Sequence, residues 1–98
     1  MKAVELVHTR IIYSEVAFAE LVLWELTTPL RGSSHRFKYR LAYVVHGECV
    51  LRYDNEAGKG DHRHARGKEY KYSFHSLENL LSEFRGEIRR LTDEDRDT

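Results

Sequence analysis

The sequence predicts an α+β fold: an antiparallel sheet of four to five strands in meander order, with one C-terminal α-helix packed on a face. Three features lead there. Apolar residues recur at every second position in segments between Val4 and Phe74. The joins between those segments are polar and rich in glycine or serine. Only the stretch after Ser76 carries apolar residues at helical spacing.

Val4 to Tyr13 is rich in β-branched and aromatic side chains, which suit a pleated surface. Glu15 to Thr27 follows as a second strand. Val16, Phe18, Val22, Trp24 and Leu26 share one of its faces, and Ala17, Ala19, Leu21 and Leu23 share the other. Apolar residues on both faces imply cover on both sides, and a second copy of the chain is one expected cover, a homodimer. Pro29 to Ser34 reads as a loop. His35 to Val45 alternates, with Phe37, Tyr39, Leu41, Tyr43 and Val45 against Arg36, Lys38 and Arg40. His46-Gly47 reads as a two-residue hairpin turn, and Glu48 to Asp54 as the returning strand. That turn sets Arg40 opposite Tyr53 and Lys38 opposite Asn55, on one face. Asn55 to Lys68 has almost no apolar residue and reads as a loop, while Tyr70, Tyr72 and Phe74 alternate as a short last strand. Ser76 suits an N-cap with Glu78 in the first turn. Leu77, Leu80, Leu81, Phe84, Ile88 and Leu91 then make the helical stripe, with Arg85, Arg89 and Arg90 toward its C-terminal end. A single domain over 1–91 with a frayed polar tail over 92–98 is expected.

The 98 residues suffice for one modest core. Lys and Arg total 16 and Asp and Glu also 16, so bulk attraction to nucleic acid is excluded while a local basic patch is not. Arg31, Arg36, Lys38 and Arg40 fall in a stretch without an acid, whereas Asp93, Glu94, Asp95 and Asp97 crowd the tail. The single cysteine, Cys49, excludes an internal disulfide framework and reads as a small buried residue. Met1-Lys2-Ala3-Val4-Glu5 lacks the apolar core of a secretory signal, and Ala17 to Trp24 is interrupted by Glu20. The cytoplasm is the expected location, with no membrane association.

The candidate site centres on Arg52-Tyr-Asp-Asn-Glu-Ala-Gly-Lys-Gly-Asp-His-Arg-His64. The hairpin brings this segment over Arg36, Lys38 and Arg40. Metal-independent RNA cleavage needs a base for the ribose 2′-OH, an acid for the leaving 5′-oxygen, and cations for the phosphorane charge. Imidazole titrates near neutral pH, so His62 and His64 are the candidate acid/base pair. Lys59 is the candidate cation, flanked by Gly58 and Gly60, and Asp61 is grouped with these catalytic candidates. Arg36, Lys38, Arg40, Arg52, Tyr53, Asp54, Asn55 and Arg63 are the candidate substrate-binding residues. Asp61, His62 and His64 also have metal-ligand character, but the neighbouring cations oppose a divalent ion, so neither metal nor cofactor is expected. His8, His35, His46 and His75 read as packing or solvent contacts, and Trp24, Tyr39 and Tyr43 as core. A polar, glycine-rich surface loop beside a solvated basic strand face is the plainer account of the same residues.

His35-Arg-Phe-Lys-Tyr-Arg-Leu41, Arg52-Tyr-Asp-Asn-Glu56, Gly58-Lys-Gly-Asp-His-Arg-His64 and Phe74-x-Ser76-x-Glu78-x-x-Leu81-x-x-Phe84 together resemble the TumE family. The resemblance implies a toxin of a toxin–antitoxin pair whose partner, TumA, is a helix-turn-helix antitoxin. It supplies a role and a partner but no catalytic residues. RNA as the target, and the histidine chemistry above, rest on residue types and spacing. The alternative is a non-catalytic module that binds nucleic acid or a protein partner through the same patch.

Overall fold

β1 (Ala3–Ile12) and β2 (Ala17–Leu26) form the first hairpin of the computed structural model, which describes residues 3–96. β3 (Phe37–Val45), β4 (Glu48–Glu56), β5 (Gly60–Ala65) and β6 (Lys68–Lys71) follow, and α1 (Leu77–Arg96) completes the chain. All six strands pair antiparallel in sequence order, so each strand lies beside the one before it.

The small side of β2 is the core side. Ala17, Ala19, Leu21 and Leu23 lie with Tyr39, Leu41, Tyr43, Leu51 and Tyr53 under Leu80, Phe84 and Ile88 of α1. Leu80, Phe84 and Ile88 are each at most 2% exposed, and burying such a side chain contributes about 1.5–3 kcal/mol. The helix starts where Ser76 Oγ accepts the Asn79 backbone N–H at 3.0 Å. It runs to Arg96, past Leu91 where the apolar stripe stops, so the tail expected from Thr92 is helical that far; residues 97 and 98 lie outside the described residues. The opposite, outer side of the sheet has no helix over it, and Phe18, Val22 and Trp24 are only half-buried there. Trp24, expected in the core, instead lies across from Lys38 on that side.

Three expectations are corrected. The sheet has six strands because the segment Asn55–Lys68, expected as a loop, is the end of β4, all of β5 and two tight turns. Its residues alternate, but polar on both faces, so no apolar period marks the strand. The register of β3 and β4 is also shifted. Tyr43 pairs with Leu51 and Val44 with Cys49, leaving Val50 as the extra residue of a β-bulge. One inserted residue exchanges the faces beyond it, so Arg40 lies opposite Asp54, and Tyr53 and Asn55 turn to the helix side. Cys49, expected buried, is exposed because it pairs with Val44 next to the His46-Gly47 turn, on the side of the sheet that no helix covers.

The β3–β4 and β5–β6 turns use paired positive φ values. His46 and Gly47 have φ of 51° and 77°, and Arg66 and Gly67 have 53° and 77°, the signature of turns whose twist matches the strands. The β4–β5 turn is built differently, on a second loop. Gly58 N–H donates to the Arg31 carbonyl at 2.6 Å, and a Cβ on Gly60 would lie 2.8 Å from the Gly32 carbonyl oxygen. Two backbones touch here, which only glycine allows.

Candidate functional site

Strand pairing carries a row of polar side chains across the outer face. Arg40 lies opposite Asp54, Asp54 opposite His62, Arg52 opposite His64, His62 opposite Lys71 and His64 opposite Glu69. Directly opposed residues share a face, so these side chains stand together without any loop folding back.

At the centre, three nitrogens approach one carboxylate oxygen. Glu69 Oε1 lies 3.0 Å from His62 Nδ1, 3.3 Å from Lys59 Nζ and 4.0 Å from His64 Nε2. The hydrogen bond from Lys59 leads the effects that hold the Glu69 carboxyl below the usual range; burial opposes it, and the Lys59, His64 and His62 charges add to the lowering. His62 is buried, and its Nε2 donates to the Lys59 carbonyl at 2.8 Å. A carbonyl only accepts, so Nε2 carries a proton there. Nδ1 then meets Glu69 as a donor when the ring is charged and as a bare lone pair when it is neutral. The same contact ties the Lys59 turn to β5. His64, on the same face two residues on, has its ring 6.5 Å from that of His62 and is the more exposed of the two. Its Nε2 lies 3.8 Å from Asp54 Oδ1, and Asp54 Oδ2 lies 3.1 Å from Arg52 Nε as an ion pair outside hydrogen-bonding geometry. Arg40 is exposed and lies within 3.9 Å of Glu20.

The other candidates are not brought to this cluster. Asp61 faces the helix side, where it accepts from Ser33 Oγ at 2.8 Å, from His35 Nε2 at 2.7 Å and from the Tyr39 hydroxyl at 2.6 Å. Burial, and then the bond to Asp61, hold the Tyr39 phenol far above the usual tyrosine range. His35 is fully engaged, since its Nδ1 accepts the Phe37 N–H at 3.1 Å and its ring stacks on Phe74. These contacts pin the Ser33–Phe37 segment to β5, and beside them Lys59, Lys71 and Gly60 help line a cleft of about 450 Å³.

Tyr53 and Arg63 point to α1. Arg63 forks onto Glu87 with bonds of 2.5 and 2.6 Å, and the Tyr53 hydroxyl donates to the same carboxylate. Asn55 is fully buried; its side chain accepts the Tyr39 N–H at 3.0 Å and donates to the Phe37 carbonyl at 2.7 Å, replacing a rung of the β3–β4 ladder. Lys38 Nζ donates to the Asn55 carbonyl. Arg36 lies outside the strands and is exposed.

Glu69 is the site residue that the sequence did not single out. It follows the Gly-Lys pair that ends the segment read as a loop, and only the β5–β6 pairing sets it against His64. Among the described residues no group of three or more His, Cys, Asp or Glu is arranged to hold a metal ion, and no helix is long and apolar enough to cross a membrane.

Residues 3–92 match the family model described as Toxin TumE. No curated protein and no solved structure matches the chain.

Proposed function

The chain belongs to the TumE toxin family, and from that membership and the outer-face geometry we propose that it acts on RNA as a metal-independent ribonuclease, held in check by a helix-turn-helix antitoxin in the cytoplasm. The observation that carries this reading is the approach of Lys59 Nζ, His62 Nδ1 and His64 Nε2 to one point, within 4.0 Å of Glu69 Oε1.

A phosphodiester at that point is served as transesterification requires. His64 takes the proton of the ribose 2′-OH as its oxygen bonds to phosphorus. His62, through Nδ1–H, protonates the 5′-oxygen as the phosphorus–oxygen bond breaks. The Lys59 ammonium offsets the charge on the non-bridging oxygens. Arg52 and Arg40, flanking Asp54 on the same face, supply contacts to neighbouring phosphates. Asp61, Tyr53, Asn55 and Arg63 act through the scaffold: Asp61 and Asn55 hold β3 against β4 and β5, and Tyr53 and Arg63 hold α1 on the sheet.

The test is incubation of purified protein with defined RNAs, with and without chelator, alongside growth arrest and RNA decay on expression. His62→Ala, His64→Ala and Lys59→Ala should each lose cleavage, and chelator should change nothing. Three variants that cleave and arrest like wild type sink the assignment.

A second reading is favoured by one observation: the cluster stands on an open sheet face beside half-buried Trp24 and basic Lys38 and Arg40. Such a face suits binding of a nucleic acid or partner without cleavage. In that case RNA stays intact and its affinity falls steeply with salt. The homodimer expected from the two apolar faces of β2 is a separate proposal, and a monomeric mass in solution removes it.

A further inference from the structure

We propose that Glu69 is an internal stand-in for substrate: its carboxylate fills the receptacle formed by Lys59, His62 and His64, and a phosphodiester group binds by displacing it. This rests on the reading that the outer face receives RNA phosphate.

The backbone of the receptacle and its His62 ring belong to the rigid part of the molecule. His62 is buried and bonded through Nε2 to the Lys59 carbonyl at 2.8 Å. The Lys59 turn is itself locked by the Gly58-to-Arg31 hydrogen bond and by the Gly60–Gly32 approach. Its occupant belongs to the loose part. Glu69 sits on β6, an edge strand of four residues, all exposed, and its side chain is 40% exposed. A glutamate there can swing into solvent by side-chain rotation alone, whereas the His62 ring cannot follow without breaking its bond to the Lys59 carbonyl, and the Lys59 ammonium, on a 55% exposed side chain, stays tethered to a fixed backbone turn.

The exchange is also matched in charge. A carboxylate and a phosphodiester each carry one negative charge and present acceptor oxygens, so one replaces the other without leaving the cations unpaired. The other charged groups facing the receptacle favour the exchange little either way: Asp54 lies 3.8 Å from His64 but is paired with Arg52. A glutamate in this place serves the protein before substrate arrives, by keeping the donors aligned and closing them to stray anions.

The role predicts a gain where a catalytic or positioning carboxylate predicts a loss. The probe is inorganic phosphate, titrated into the full-length protein while the imidazole resonances of His62 and His64 are followed by NMR. An all-deoxy oligonucleotide, which lacks the reacting 2′-OH, serves as a second probe read by fluorescence anisotropy. Glu69→Gln should bind both severalfold more tightly than wild type, with the shifts confined to the histidines and Lys59. Adding Lys59→Ala to Glu69→Gln should abolish the gain. Unchanged or weaker binding by Glu69→Gln overturns the proposal, as does a gain that survives loss of Lys59. Glu69→Asp, which keeps the charge on a shorter arm, should fall between the two and keeps the comparison open should Glu69→Gln fold poorly. None of these measurements needs turnover. Absence of RNA cleavage would therefore defeat the ribonuclease reading and leave this one standing, while cleavage with unimproved phosphate binding would do the reverse.

Discussion

Removing the charge of Glu87 should loosen the helix from the sheet, and should do so only where that charge exists. Glu87 is 12% exposed at the side chain and takes both bonds of the Arg63 fork, at 2.5 and 2.6 Å, together with the Tyr53 hydroxyl. Burial pushes its carboxyl up, but the bonds from Arg63 and Tyr53 and the Arg63 charge outweigh burial, so the net shift is downward. The same contact raises Arg63, and burial followed by Glu87 raises the Tyr53 phenol. Glu87→Gln keeps the shape and loses the charge. A hydrogen bond to a charged group contributes about 1.5–3 kcal/mol. Arg63 is 30% exposed and recovers part of that from water, which brings the expected loss to about 1–2 kcal/mol. With a urea slope of about 1–2 kcal/mol per molar for a domain of this size, the midpoint should fall by about 1 M.

The pH dependence gives the sharper check. A carboxylate whose folded pKa is depressed stabilises the fold above its unfolded value, about 4.3, and that stability is lost as pH falls through the lower folded value. Wild type and Glu87→Gln should therefore differ at pH 7 and converge in urea melts well below pH 4. A difference that persists undiminished in acid, or no difference at pH 7, refutes the account.

Asp61→Asn should lower thermal stability by about 1–3 kcal/mol, because a carboxylate accepting from Ser33, His35 and Tyr39 becomes an amide with a single acceptor oxygen; RNA cleavage measured well below the melting temperature should survive, and its loss there would return Asp61 to the reacting set. Gly60→Ala should destabilise by about 1–3 kcal/mol in a denaturant titration, since φ is +79° and the new Cβ meets the Gly32 carbonyl; an unchanged midpoint would show that the two loops do not touch in solution. Cys49 should react with a thiol reagent in the native protein as fast as in urea, because it is exposed; strong protection would refute its place on the uncovered side of the sheet beside the His46-Gly47 turn.

Local pattern alone was enough for most of the architecture. The β-branched and aromatic content of Val4–Tyr13, the alternation in Glu15–Thr27 and His35–Val45, the His46-Gly47 turn, the Ser76 cap and the Leu80–Phe84–Ile88 stripe were all legible, because each reports a period or a backbone preference confined to neighbouring residues. The unusual density of Lys59, His62 and His64 was legible too, as composition. What tertiary structure decided was which side each residue faces and what it meets. β5 escaped notice because its two faces are both polar; Asp61 and Arg63 find Tyr39 and Glu87 on one side, His62 and His64 find Glu69 and Asp54 on the other, and no hydrophobic period survives. The bulge at Val50 lies in no single strand's sequence, since it is set by how β3 and β4 fit together under the helix. That one residue sends Tyr53 and Asn55 inward and Asp54 outward. It also makes the stretch from Arg52 to His64 two faces of a sheet, one anchoring the helix and the first loop, the other carrying Lys59, His62 and His64 around a glutamate supplied by the last strand.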